Sequence, residues 1–396
     1  MRSLKLGPGV LVAAAFIGPG TVTTCVLAGQ NFGASLLWVL VLATLSTIVL
    51  QEMVARLGAG ARQGLGEALV TSLLNPVLRW SAVGLMSAAI LIGNAAYQGG
   101  NLAGAALGAN ALLGTDIQRP AVLMIALAAG AVLLPGRYKL LERVLIGFVV
   151  VMSLAFLSAV VLVRPDLSAI ATGLVPSLPD GSLLTVLALV GTTIVPYNLF
   201  LHAAASKERW HGPLAVSDAR RDTIVAIALG GMVSAAVLIV ATMASGAGGA
   251  GDLARVLEPA FGGASRFLVG AGLLAAGMSS AITAPMAAGY VASELFATSE
   301  KGRRKLFRWA SLSVLVFGAS IALLGVRPEA LIVTAQAANG LLLPVVAAFL
   351  LVIMNRRALL NQHANGVLMN ILGGGVLLMA LLLGVRGVSR ALGIWP

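Results

Sequence analysis

Apolar residues in this chain run in long blocks, separated by short polar segments. Eleven blocks are long enough to cross the roughly 30 Å hydrocarbon core of a bilayer as helices. They cover 9–31, 36–55, 81–107, 120–135, 144–164, 182–205, 223–246, 266–296, 309–325, 330–354 and 366–386, the fourth and ninth being short. The pattern predicts an all-α membrane protein with eleven transmembrane helices. Two blocks are interrupted near mid-membrane depth by a proline in a polar setting: Gly18-Pro19-Gly20-Thr21 in the first and Val195-Pro196-Tyr197-Asn198 in the sixth. Such a break frees backbone groups that lipid cannot satisfy, so it survives only where protein buries it or where it lines a cavity. Matching breaks in spans one and six divide the first ten spans into two sets of five. Five is odd, so the second set starts from the opposite side of the membrane, which is the inverted-repeat logic of many secondary transporters. Residues 1–396 then read as a single domain, with 9–164 as the first repeat, 182–354 as the inverted second and 366–386 as an extra helix.

Composition agrees. The chain has 396 residues, 59% hydrophobic and 10% charged, against about 25% charged in soluble domains, and its mean hydropathy is +0.99. The net charge of +12 is spread in short basic clusters between apolar blocks, which argues for membrane orientation and against nucleic acid. With the N-terminus inside, nineteen Lys and Arg face the cytoplasm and seven face outward. The run Lys301-Gly302-Arg303-Arg304-Lys305 reads as a cytoplasmic anchor at anionic headgroups. The one cysteine, Cys25, excludes an internal disulfide and a cysteine-rich metal site. The basic, then apolar, start imitates a signal peptide but reads as the first span. The expected location is a bacterial inner membrane, multi-pass, with the N-terminus cytoplasmic.

At the first break, proline removes a donor and clashes with the preceding turn, and two glycines ease the departure from helical geometry. A half-helix ending near Ile17 and a second starting near Thr21 are expected, with Thr21 as N-cap. The restarting N-terminus carries partial positive charge and the ending carbonyls partial negative charge, so such a site can coordinate either sign.

These residues resemble the NRAMP family of divalent-metal transporters. The likeness runs through Gly18-Pro19-Gly20-Thr21, Ala28-Gly29-Gln30-Asn31-Phe32-Gly33, Leu36-Leu37-Trp38-Val39, Leu50-Gln51 and Ala55-Arg56-Leu57-Gly58. It continues through Gly136-Arg137-Tyr138-Lys139-Leu140 and Gly191 to His202. Further matches are Ala275-Ala276-Gly277-Met278-Ser279-Ser280 with Ile282-Thr283, and Gln336 with Leu343-Pro344. The resemblance implies a LeuT-like 5+5 inverted repeat with helices 1 and 6 broken.

The departures from that family bear on function. Its first-span motif is Asp-Pro-Gly-Asn, whose Asp and Asn are metal ligands; here those positions are Gly18 and Thr21, with Gly20 retained between them. Its sixth-span Met-Pro-His becomes Val195-Pro196-Tyr197. The Thr192 carbonyl and Gln336 are what the resemblance leaves for a cation, so no metal site is assigned. The acids of the family's third span, which help conduct protons, fall at Gln98 and Asn101. With Asn94 and Tyr97 these form an i, i+3, i+4, i+7 stripe, either a polar coupling path or interhelical hydrogen bonding. His202 resembles a family histidine, and a lone histidine is more often packed than a proton carrier.

None of the fourteen acidic residues lies near the middle of spans one, three or six. Glu52 is expected to pair with Arg56 at i+4, and Asp222 and Glu294 to face the interface. A dehydrated divalent ion needs strong ligands, and one lost unit charge at about 4 Å is worth about 4 kcal/mol at an effective dielectric near 20. The hydroxyls of Thr21, Thr192 and Tyr197 and the amides of Asn198 and Gln336 offer no fixed charge. The expected function is secondary transport by alternating access. The family default is a divalent cation; the alternatives are a neutral, zwitterionic or anionic solute such as an amino acid or small anion, and a transport-inactive sensor. Isolated histidines and the lack of paired intramembrane acids argue against an enzyme. No cofactor is expected. The expected partners are a small-molecule or ion substrate and the lipid bilayer, and a monomer is compatible with the chain.

Overall fold

The computed structural model describes residues 7–73, 75–133, 138–243 and 253–391. Arg2, Lys5 and the Gly136-Arg137 pair lie outside these, as do the last residues of the fourth and seventh expected spans. The described residues form helices and connecting segments. The first span is two helices, α1 (Pro8–Phe16) and α2 (Pro19–Phe32), followed by α3 (Leu37–Arg56), the short α4 (Leu65–Ser72) and α5 (Pro76–Leu113). Then come α6 (Gln118–Leu133), α7 (Tyr138–Val163) and the short α8 (Leu167–Gly173). The sixth span is again two helices, α9 (Leu183–Thr193) and α10 (Pro196–Arg209). The chain continues with α11 (Ala215–Ala241), α12 (Leu253–Phe261), α13 (Ala264–Phe296), α14 (Glu300–Ala322), α15 (Pro328–Met354), α16 (Arg357–Leu360) and α17 (Val367–Ala391).

All eleven expected spans fall on a helix or a broken pair. Among the described residues, eight helical stretches are long and apolar enough to cross a membrane, and 118–133 and 149–162 form shorter apolar helices. Large apolar side chains such as Ile92, Leu127, Val161, Phe317 and Leu382 are mostly exposed. In water that surface would drive association; around a transmembrane bundle it is the lipid face. The helices α4, α8, α12 and α16 were not expected, because each is too short to carry a span-length apolar signal.

The core is the pair α5 and α13, with α15 against both α5 and α9, and α11 against α1, α2 and α3. Glycine sets these approaches. A Cβ on Gly108 of α5 would run into the backbone of α13, and one on Gly191 of α9 into the backbone of α15. Pro285 lies inside α13 and withdraws the N–H that the Ala281 carbonyl would otherwise accept. Gln98 Nε2 of α5 supplies a replacement at 3.0 Å, and Asn94 Nδ2 donates to the Ala284 carbonyl one turn away.

Candidate substrate site at the paired helix breaks

The two breaks are built alike. Ile17 and Ile194 end the first halves with φ/ψ of −78°/57° and −99°/77°. Gly18 and Val195 follow in extended conformation, and Pro19 and Pro196 occupy the first helical position of the restarting halves. Proline suits that position because its fixed φ is helical and its missing N–H would have no partner there. The expectation that Thr21 caps the second half is therefore corrected: the helix restarts two residues earlier, Gly18 is the cap residue, and neither cap uses a side chain. Counted from each proline, Gly18 matches Val195, Gly20 matches Tyr197 and Thr21 matches Asn198.

Carbonyls orphaned by the breaks meet hydroxyls from other helices. Thr47 of α3, whose hydroxyl also bonds the Ala43 carbonyl, reaches the Thr193 carbonyl at 3.2 Å. Ser280 of α13 approaches the Ala15 carbonyl at 3.5 Å. Across the breaks, Thr21 Oγ1 and Thr192 Oγ1 share a buried hydrogen bond of 2.8 Å. Tyr97 and Tyr197 meet edge to face, ring centroids 5.3 Å apart, and the Tyr97 hydroxyl lies beside Tyr197 and Gln336 without a well-formed hydrogen bond. Gln336 of α15 rests its carboxamide over Gly20, where any Cβ would collide with it.

The structure thus brings together Gly18, Gly20, Thr21, Thr192, Val195, Tyr197, Asn198 and Gln336, all buried, together with Tyr97. The polar stripe divides. Asn94 and Gln98 serve α13 carbonyls, Tyr97 turns to the breaks, and Asn101 Nδ2 makes only a long 3.5 Å contact to Gln98. His202 lies apart, with Nδ1 donating to Gln51 Oε1 at 2.8 Å and Nε2 3.4 Å from the Thr223 hydroxyl. Several buried polar atoms around the breaks have no protein partner: both carboxamide atoms of Gln336, Asn198 Oδ1, Asn101 Oδ1, Asn339 Nδ2 and the hydroxyls of Thr23 and Thr24. Asn339 and Thr24 were not singled out from the sequence. Asn339 follows Gln336 at i+3 and Thr24 follows Thr21 at i+3, a spacing that puts each pair on one helix face.

A cavity of 300 Å³ lined by Thr24, Asn31, Thr185, Arg327 and Glu329 reaches to within one turn of Thr21. At the opposite end, polar contacts tie helices together around a second cavity of 390 Å³ lined by Glu67, Lys207 and Arg303. Asp222 of α11 accepts the backbone N–H groups of Gly7 and Gly9 at 2.9 and 2.7 Å, pinning the start of α1. Glu67 of α4 takes Lys207 Nζ at 2.7 Å and Arg303 Nη1 at 3.1 Å. Burial raises the Glu67 carboxyl, but Lys207, the Gly64 N–H and Arg303 outweigh it and hold the group below the ordinary carboxylate range. Glu52 pairs with Arg56 at 3.1 Å, as expected, and also with Arg220 at 2.8 Å. Asp222 and Glu294, expected at the interface, are instead 2% and 9% exposed. The reason is glycine on the facing segment: Gly7 and Gly9 approach Asp222, and the Gly66 N–H donates to Glu294 at 2.9 Å. Among the described residues no group of three or more His, Cys, Asp and Glu is arranged to hold a metal ion.

Comparison with known proteins places this architecture. The model of the natural resistance-associated macrophage protein-like family, Nramp, matches residues 9–390. The divalent metal cation transporter MntH of Ralstonia nicotianae is 31% identical over 380 residues, 91% of this chain and 85% of the relative. The manganese transporter of Eremococcus coleocola has a similar structure, with a TM-score of 0.76 and 26% identity over 97% of this chain and 86% of its own. The fold alone is shared with MhsT, solved in complex with L-phenylalanine, at a TM-score of 0.58 and 18% identity, covering 95% of this chain and 98% of that one. The chain is an integral membrane protein of the LeuT-like fold, and it belongs to the Nramp family.

Proposed function

We infer that this protein is a secondary transporter working by alternating access, and that its central site takes a small polar solute without net positive charge: neutral, zwitterionic or anionic. The observation that carries this reading is the Thr21–Thr192 hydroxyl pair at the crossing of the breaks, three residues from Gly18, the position where the resemblance leads one to expect a carboxylate ligand. Hydroxyls, carboxamides and a helix N-terminus are donors suited to a carboxylate or another oxyanion, and the same fold in MhsT is seen with an amino acid. In this reading Gly18, Gly20, Thr21, Thr192, Val195, Tyr197, Asn198 and Gln336 form the site. The repeats are 9–164 and 182–354. The protein lies in a bacterial inner membrane with the N-terminus cytoplasmic, so that the Thr24 cavity opens outward and the Asp222 and Glu67 contacts lie on the inner side.

The names of the relatives favour a second reading, a divalent cation. Here the Thr192 carbonyl and the Gln336 carboxamide would be its protein contacts, and an ion that keeps its waters suits such neutral donors better than a stripped one. Uptake into proteoliposomes decides. Accumulation of a labelled amino acid or small anion, lost in Thr21→Ala, supports the first reading. Saturable manganese uptake lost in the same variant replaces it with the second, and no flux of any solute marks a transport-inactive sensor.

A further inference from the structure

A second polar site lies away from the breaks. A cavity of 640 Å³ opens where the end of α3, the start of α11 and the segment leading into α17 meet. Its walls carry Arg56, Arg220, Arg221, His363, Gln362 and Ser217, and no carboxylate is among the lining residues. Arg56 is 4% exposed. Its Nη1 donates to the His363 carbonyl at 2.7 Å, and its Nη2 donates to Glu52 Oε2 at 3.1 Å and Asn365 Oδ1 at 2.7 Å. The buried Nε–H of Arg56 has no acceptor. Arg220 directs both Nε and Nη2 at Glu52 Oε1, so one carboxylate serves two guanidiniums. Among the described residues Arg221 has no ion-pair partner.

A buried, unsatisfied N–H on a charged group is destabilising, and so is surplus positive charge in a partly enclosed space. Both are relieved by one kind of ligand. Guanidinium forks match the oxygens of phosphate, and basic pockets between transmembrane helices on the cytoplasmic side suit phosphate headgroups. We propose that this cavity binds a phosphate group, held by Arg56, Arg220 and Arg221. The Arg220 side chain is 51% exposed and is free to turn from Glu52 toward the ligand. The phosphate belongs either to an anionic phospholipid headgroup or to a soluble phosphate ester. In both cases it ties together the ends of α3, α11 and the α17 approach.

The test uses the full-length protein and two probes. Inorganic phosphate is titrated in detergent while thermal unfolding is followed. Separately, phosphatidylglycerol is titrated into phosphatidylcholine nanodiscs and retained lipid is counted by native mass spectrometry. Saturable stabilisation or one retained phosphatidylglycerol is expected, at least tenfold weaker in Arg221→Ala and Arg220→Ala and unchanged in Arg304→Ala. A response to phosphate identifies a soluble ester as the source; a response confined to lipid identifies a headgroup. Arg220→Ala also unpairs Glu52, so the exposed Arg221→Ala is the deciding variant. The proposal falls if neither probe saturates, if Arg221→Ala binds like the wild type, or if Arg304→Ala weakens binding equally.

Discussion

The hydroxyls of Thr21 and Thr192 stand 2.8 Å apart, joining the restarting half of one broken helix to the ending half of the other. The pair is a neutral hydrogen bond at the point where the two repeats cross, three residues from Gly18, where the resemblance places a carboxylate. Removing one hydroxyl alters the pairing of a buried partner, which is worth about 1–3 kcal/mol. Thr21→Ala and Thr192→Ala should each lower stability within that range, and the double variant should lose less than the two together. Thermal unfolding in detergent, arranged as a double-mutant cycle, reads the coupling; strict additivity would mean that the hydroxyls do not interact.

Gly18 fits its surroundings because it has no side chain: a Cβ there would stand 2.9 Å from Ser280 Oγ. Gly18→Asp should therefore destabilise the protein unless Ser280 is shortened as well. Combined with Ser280→Gly, the new carboxylate should weaken binding of an anionic or zwitterionic solute by tenfold or more and introduce measurable manganese affinity. Calorimetric titration of both solutes against the single and double variants checks this.

The Gln98–Ala281 bond repairs a proline defect, and repair can be tested by removing the defect. Gln98→Leu leaves the Ala281 carbonyl unpaired and should cost about 1–3 kcal/mol. Pro285→Ala returns the backbone N–H, so Gln98→Leu should be better tolerated on that background. If transport is lost in Gln98→Leu and is not recovered with Pro285→Ala while stability is, the glutamine has a role beyond α13.

The legibility of the fold in the sequence varies by element. Apolar length alone located all eleven spans, because lipid imposes the same length on each, and the prolines located both breaks. Helix starts were less legible: Thr21 looks like a cap, but proline at the first helical position moved the start to Pro19. The residues that flank the two breaks could be read from their neighbours in sequence. The partners of Gln98, Asp222 and Glu294 could not, since each is a backbone group on a distant helix exposed by a proline or a glycine. The spacing of Asn94, Tyr97, Gln98 and Asn101 puts them on one side of α5, but helical periodicity does not tell which neighbour each side chain meets: Asn94 and Gln98 meet α13, and Tyr97 meets Tyr197.

Asp222 holds α1 through two backbone N–H groups, and Gly7 and Gly9 leave no room for side chains beside it. Asp222→Ala should free the start of α1. Hydrogen–deuterium exchange across 7–16 should rise at least tenfold while exchange in α5 stays unchanged. Equal exchange in both proteins would show that α1 is held by other contacts.

The Glu67 contacts should depend on pH in one direction. Its folded value lies below its unfolded one, so its contribution is present above the ordinary carboxylate value of about 4 and is lost as pH falls through the lowered folded value. The difference in melting temperature between wild type and Glu67→Gln should be constant from about pH 7 to 5 and shrink in more acidic solution. A difference that grows in acid would contradict the assignment.

Isothermal titration of manganese into the purified protein asks whether the broken-helix site, built of neutral groups, holds a stripped divalent ion. A neutral site should give no saturable heat at micromolar manganese, and a saturable response to an amino acid or small anion that disappears in Thr21→Ala. Micromolar manganese binding that is abolished by Gln336→Ala or Thr21→Ala would contradict this reading of the site.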